Sequence, residues 1–271
     1  MSLDDSPSPS GDSVPAPLAP PVIPTGLNAG RAIALFLAYA VGQVAIAVVL
    51  AIPLYIYYAT TSLGPAQIAR RVQDPVVLLP IGILGLLGAA LVVALMTRRF
   101  FKGTPTSDAY RVLGLSRTEP RTLMGAALLG LALCLFYVLV ATKFFPPTEG
   151  QSFGPLTRAA MAGGFTRALW AVLAVCIAPP IEEFLFRGAM LAGFEKSMGR
   201  APAVAIVTVA FVVLHVPEAQ SYRPAIVALM GLALILGGLR IKTGSLAPSI
   251  VLHACYNLGL VAMMLNMSGH K

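Results

Sequence analysis

Long apolar runs separated by short polar connections dominate this sequence from about residue 32 onward. A helix needs roughly 20 apolar residues to cross the hydrocarbon core of a bilayer, and most of the runs are close to that length. They lie at Ala32 to Ala59, Val76 to Met96, Leu123 to Ala141, Ala168 to Ala192, Ala203 to Val216, Ala225 to Leu239 and Leu246 to Leu265. The pattern predicts an all-α, polytopic transmembrane helix bundle with about seven spans. An eighth span stays open, because the first run is long and contains Pro53.

Residues 1–28 have a different composition, rich in Pro, Ser and Ala, with the acids Asp4, Asp5 and Asp12. They lack the apolar periodicity that a packed core requires. We therefore expect a disordered Pro/Ser-rich tail at 1–28 and a single transmembrane helical domain at 29–271.

Composition and charge support a membrane protein and argue against a nucleic-acid partner. The chain is 57% hydrophobic and only 11% charged, and its mean hydropathy is +0.82. Its net charge of +8 comes from basic residues scattered between the apolar runs, so membrane topology explains that charge better than nucleic acid does. The largest basic cluster follows the second run, which predicts a cytoplasmic N-terminus. The Pro-, Ala- and Gly-heavy composition favours a bacterial inner (cytoplasmic) membrane.

Two acids and an arginine, Glu182, Glu183 and Arg187, interrupt the fourth apolar run. Ionisable groups inside a membrane are costly and call for a partner or a function. Glu183 and Arg187 are four residues apart and share a helix face, so they can form an ion pair. Glu182 points about 100° away from Glu183, which makes it the acid available for chemistry.

Histidine and amide side chains on later runs are the candidate partners of Glu182. Phe211 and His215 are four residues apart on the fifth run, and His253 and Asn257 have the same spacing on the seventh. At 1.5 Å per residue, Glu182 and His215 lie at similar depths, about 18 and 21 Å, whereas His253 comes out shallower, at about 10 Å. Each residue alone has a packing explanation, but the combination in one small bundle favours a catalytic site.

Glu182-Glu183-x-x-x-Arg187, Phe211-x-x-x-His215 and His253-x-x-x-Asn257, in this order on consecutive runs, resemble the three motifs of the CAAX-protease and bacteriocin-processing (CPBP) family. The resemblance covers about residues 168–265, the expected protease core. It implies an intramembrane endopeptidase related to the type II CAAX prenyl endopeptidases. The implied substrate is a membrane-anchored protein or peptide, CAAX-like, a bacteriocin leader or a sorting signal, cut near its C-terminus or anchor.

The resemblance also implies roles for the site residues. Glu182 and His215 would activate a water, with Glu182 as general base, and His253 and Asn257 would donate to the oxyanion. Glu183, Arg187 and Phe211 would support the site structurally. Glu182, His215 and His253 could instead bind a divalent metal such as zinc. We favour a mechanism without a cofactor, since the chain has no His-Glu-x-x-His helix and Asn257 is a poor zinc ligand.

Two other functions remain open at this point. A non-proteolytic membrane immunity or scaffold protein would use the same fold without Glu182 chemistry. A proton-coupled transporter would also place acids in the membrane, although the sequence shows no inverted repeat of broken helices. The sequence does not indicate the oligomeric state or the substrate.

Overall fold

The computed structural model describes residues 26–146, 158, 161–220 and 222–268, without the side chains of 265–268. Nine helices lie within these ranges. They are α1 (Ala29–Ala59), α2 (Pro65–Val72), α3 (Pro75–Phe100), α4 (Thr106–Leu113), α5 (Pro120–Phe144), α6 (Gly164–Met198), α7 (Arg200–Ala219), α8 (Arg223–Thr243) and α9 (Ala247–Ser268).

Seven of these helices are long and apolar enough to cross a membrane, in the part of the chain that the structure describes. They coincide with the seven predicted runs, so the prediction of an all-α polytopic bundle is confirmed. Pro53 lies inside a continuous α1 and does not divide it into two spans. The remaining two, α2 and α4, are eight-residue helices in the connections.

Local sequence signals explain where several helices begin and end. The side chain of Asn28 accepts a hydrogen bond from Arg31 N at 2.9 Å, and Asp74 accepts one from Val76 N at 2.9 Å. Such caps satisfy backbone donors that have no partner within the helix. Gly244, with φ of 68°, ends α8 in the left-handed conformation that glycine adopts readily.

The start of the helical domain agrees with the predicted boundary to within a few residues. Residues 1–25 of the predicted tail lie outside the described residues. Leu27 is fully buried and Asn28 caps α1, so the packed structure includes the last residues of the segment assigned to the tail.

Two closely packed helix pairs, α1 with α3 and α5 with α9, flank the site helix α6. A Cβ at Gly85 of α3 would lie 2.8 Å from the carbonyl oxygen of Gln43 in α1, so only glycine permits this approach. A Cβ at Gly130 of α5 would likewise collide with the Leu252 carbonyl of α9. The outer faces expose large apolar side chains to lipid, among them Leu91, Leu128 and Phe136. Helix α1 of the first pair and α9 of the second contact α6 directly.

Candidate active site

Two π-helical stretches, Leu173–Ile177 and Phe184–Met190, flank the short α-helical segment of α6 that carries the glutamates. Pro179 and Pro180 begin that segment and have no N–H to donate to the preceding turn. The first π-helical stretch ends at Ile177, directly before this segment, so the helix is widened just ahead of the glutamates. π-Bulges of this kind shift side chains around the helix and occur frequently at functional sites.

Glu183 is the centre of a buried hydrogen-bond network. One carboxylate oxygen, Oε1, accepts from Arg187 Nη1 at 3.0 Å and lies 3.0 Å from His253 Nδ1. Arg187 also donates through Nη2 to the Ala233 carbonyl of α8 at 3.1 Å. The side chains of Glu183 and Arg187 are 0% exposed and that of His253 is 4% exposed. The predicted ion pair therefore exists, and it joins α6 to both α8 and α9.

The contact between Glu183 and His253 determines which ring nitrogen of the histidine carries a hydrogen. An ionised carboxylate accepts hydrogen bonds and does not donate them, so Nδ1 of His253 carries the hydrogen. The Nε2 atom then faces the other glutamate, Glu182. A buried acid behind a histidine is the arrangement by which serine proteases orient their imidazole.

His215 presents the same ring nitrogen to Glu182 from the opposite helix, α7. Its Nδ1 lies 2.8 Å from the Phe211 carbonyl, which can only accept, so this nitrogen also carries its hydrogen. The Phe211 ring stacks on His215 with centroids 4.4 Å apart and meets the edge of His253 at 5.8 Å. The Arg187 guanidinium lies 4.6 Å from the centroid of the same ring. Phe211 thus separates the two histidines and orients both.

Glu182 faces both histidines across a short gap. Its Oε2 lies 3.8 Å from His215 Nε2 and 3.9 Å from His253 Nε2. These distances exceed a direct hydrogen bond, and polar groups this far apart are commonly bridged by a water. The Glu182 side chain is 12% exposed and that of His215 is 27% exposed, whereas Glu183 is fully enclosed. Glu182 is therefore the acid of the pair that a water or a substrate can reach.

Asn257 lies one turn beyond His253 and contacts the first π-helical stretch. Its Nδ2 donates to the Ala174 carbonyl at 2.8 Å, so one of its two amide hydrogens holds α9 to α6. This contact agrees with the packing explanation that the sequence allowed for Asn257 alone, and its role as an oxyanion donor stays a prediction.

The residues suggested as zinc ligands, Glu182, His215 and His253, lie together around the gap. Zinc held at about 2.0–2.1 Å by tetrahedral nitrogen and oxygen ligands draws them closer to one another than the 3.8 and 3.9 Å separations found here. Within the described residues, no group of three or more His, Cys, Asp or Glu side chains is arranged to hold a metal ion. We derive no step through a metal from this arrangement, and independence of a cofactor stays a prediction.

Tyr39 of α1 is a neighbour of Glu182 that the motifs did not reveal. It is 2% exposed. It also lines a cavity of about 300 Å³ together with Pro180, Ile181, Phe184 and Leu185 of α6 and residues of α3. A tyrosine in an apolar run has no spacing signal, so only the packing of α1 against α6 identifies it.

A comparison with protein families supports the interpretation of this cluster. Residues 164–259 match the family model described as type II CAAX prenyl endopeptidase Rce1-like. This part of the chain is related to the CPBP family of CAAX proteases. No curated protein and no solved structure matches the chain.

The part that resembles the CAAX proteases contains the whole cluster around Glu182. It begins with α6 and ends two residues after Asn257, so it holds both glutamates, both histidines and Arg187. Helices α1 to α5 lie outside it. The chain is thus an integral membrane protein that carries a CAAX-protease-like domain, and Tyr39 belongs to the part without this resemblance.

Proposed function

We propose that this protein is an intramembrane endopeptidase that uses Glu182 to activate a water for attack on a peptide bond. The observation that carries the proposal is the gap bounded by Glu182 Oε2 and the Nε2 atoms of His215 and His253, at 3.8 and 3.9 Å. One water in this gap would contact a carboxylate and two oriented imidazoles. These are the groups that general-base hydrolysis requires.

The reaction follows from the positions of these groups. Glu182 takes a proton from the water as its oxygen attacks the carbonyl carbon of the substrate. With hydrogens on both ring nitrogens, His253 donates Nδ1–H to the Glu183 carboxylate and Nε2–H to the oxyanion, which the second amide hydrogen of Asn257 also stabilises. The C–N bond then breaks, and Glu182 returns the proton to the leaving amine. Removing a single oxyanion donor typically costs about 3 kcal/mol of transition-state stabilisation.

The substrate we propose is a membrane-anchored protein or peptide cut near its C-terminus or its anchor. Glu182 lies within a membrane-spanning helix, so a water-soluble segment reaches it only when the substrate is held at the bilayer. The relationship to the CAAX proteases supports the same class, which includes CAAX-like peptides, bacteriocin leaders and sorting signals. We place the protein in a bacterial inner membrane with its N-terminus in the cytoplasm.

The test compares membrane proteomes of strains that carry Glu182→Gln or the wild-type protein. Uncut membrane-anchored precursors should accumulate with Glu182→Gln, because the amide cannot take the proton of the water. The control is Glu195→Gln, the same substitution on the same helix at a glutamate that pairs with Arg200 and lies outside the cluster. Identical proteomes in wild type and Glu182→Gln would refute proteolysis.

The precursor found in this way also tests the prediction that no cofactor is required. Purified protein should cleave it at an unchanged rate after treatment with a strong zinc chelator. A complete loss of cleavage that zinc restores would assign Glu182, His215 and His253 to a metal instead.

A further inference from the structure

An exposed and strongly basic surface that the proposed reaction does not use spans residues 98–121, from the last turn of α3 through α4 to the start of α5. It contains two acidic residues, Asp108 and Glu119, against six basic ones. The basic residues are all exposed and are Arg98, Arg99, Lys102, Arg111, Arg117 and Arg121. Arg111 approaches Asp108 at only 3.9 Å and remains 68% exposed, so this pair neutralises little of the charge. We call residues 98–121 the α3–α5 surface.

The α3–α5 surface combines this charge with exposed apolar side chains. Helix α4 is amphipathic and buries Leu113, while Tyr110 is 54% exposed and Leu115 is 44% exposed. Helix α4 itself carries Arg111 and Tyr110, and Leu115 and the other basic residues flank it. A short amphipathic helix with basic and apolar side chains around it is typical of a segment that lies in the membrane interface. Both flanking helices, α3 and α5, leave the bilayer here, so their short connection lies at the depth of the lipid headgroups.

Four hydrogen bonds hold the inner side of this surface to the end of α8 and the turn before α9. The Val112 carbonyl accepts from Arg240 Nη2 at 2.9 Å, and the Gly114 carbonyl accepts from Leu246 N at 2.8 Å. The Ser116 carbonyl accepts from Ser245 Oγ at 2.9 Å, and Ser116 Oγ donates to the Gly244 carbonyl at 3.3 Å. The surface is therefore fixed in orientation, with its basic and aromatic side chains pointing outward.

We propose that the α3–α5 surface binds the headgroups of anionic phospholipids in the bilayer around the protein. The positive-inside bias explains an excess of basic residues in this connection, but it requires neither exposed Tyr110 and Leu115 nor a fixed loop. An anionic headgroup complements the six cations, and the apolar anchors suit the adjacent acyl region. An acidic protein segment would bind to the cations without contacting the apolar anchors. The exposed apolar anchors therefore favour a lipid as the bound partner.

The experiment uses the full-length protein in nanodiscs that contain equal amounts of phosphatidylglycerol and phosphatidylcholine. Native mass spectrometry then gives the ratio of the two lipids retained on the protein. We expect wild type to retain phosphatidylglycerol preferentially and Arg111→Gln/Arg117→Gln to lose this preference by about fivefold per charge removed. The matched control is Arg70→Gln/Arg71→Gln, which removes two exposed arginines from α2, a helix outside this surface.

Several outcomes would overturn the proposal. Equal loss of the phosphatidylglycerol preference in both double variants would show that the preference is a general effect of net charge. A wild-type protein without any preference would refute the proposal directly. Displacement of phosphatidylglycerol by soluble polyglutamate at low ionic strength would favour an acidic protein partner. A salt titration of the wild-type protein needs no variant, and a preference that survives high salt would exclude headgroup binding by these cations. None of these measurements depends on proteolysis, so they stand apart from the proposed function.

Discussion

Glu182 and Glu183 are neighbours in the sequence but occupy different surroundings. Glu183 is fully buried, and one of its oxygens contacts both Arg187 and His253 at 3.0 Å. Glu182 keeps 12% of its side chain exposed and faces two imidazole nitrogens across a gap. A buried charge is tolerated when it is paired and hydrogen-bonded, whereas a base must remain accessible. The burial of the two side chains therefore distinguishes an enclosed acid from an accessible one, as the proposed roles require.

The prediction at the residue scale concerns Glu183→Gln. The neutral amide cannot balance the charge of a His253 ring that carries hydrogens on both nitrogens, so Nε2 loses the hydrogen that it would donate to the oxyanion. We expect kcat to fall on the order of 10² to 10⁴, with KM little changed, because substrate contacts are kept. The measurement is cleavage of the precursor that accumulates with Glu182→Gln.

Two controls accompany this variant. Glu195→Gln should retain full activity, and Glu183→Asp should recover part of the rate, since a carboxylate can still accept from Nδ1. Wild-type kcat in Glu183→Gln would show that His253 is oriented by other contacts.

At the scale of the element, α6 is the unusual helix of the bundle because two π-helical stretches flank its glutamates. The amide of Asn257 satisfies the Ala174 carbonyl in the first stretch, so the widened turn has a partner from α9. The two prolines that follow this stretch remove donors, and proline inside a helix costs about 3 kcal/mol or more. Such a destabilising irregularity is typical of helices in which the altered register places side chains where a function needs them.

The prediction at the element scale is that Pro179→Ala/Pro180→Ala makes the protein more stable and less active. Restored backbone donors favour a regular α-helix, which would rotate Glu182 away from the two histidines. Thermal unfolding in detergent should shift upward while cleavage of the precursor falls. Pro217→Ala, a proline inside α7 near its end, is the control and should leave cleavage nearly unchanged. Full activity in the double variant would show that the register of α6 does not depend on these prolines.

At the scale of the whole molecule, seven helices long enough to span a membrane bring together the candidate site residues of α6, α7 and α9. Tyr39 of α1 lines a cavity beside the glutamate segment of α6. The basic α3–α5 surface lies at one end of this bundle, and the helix α2 lies at the other end of α3. The positive-inside rule predicts that the α3–α5 surface faces the cytoplasm. The orientation of the entire chain is therefore a prediction that depends on this surface.

The prediction at this scale concerns topology. In a variant without its three native cysteines, Ser107→Cys on α4 should react with a membrane-impermeant maleimide only after the cells are opened. Ser62→Cys, before α2, should react in intact cells, because it lies one membrane crossing away. The reverse pattern would invert the orientation.

The sequence by itself determined the bundle, because the length and hydropathy of each run are local properties that the bilayer converts directly into a span. Motif spacing likewise placed Glu183 with Arg187 and Phe211 with His215 on common helix faces, since those pairs are one turn apart.

Only the tertiary structure decided which groups meet across helices. The depth estimate left His253 too shallow, and its contacts with Glu183 and Glu182 depend on how α9 packs against α6. The partner of Asn257, the Ala174 carbonyl, and the position of Tyr39 beside α6 also arise between helices, where residue spacing along the chain carries no information.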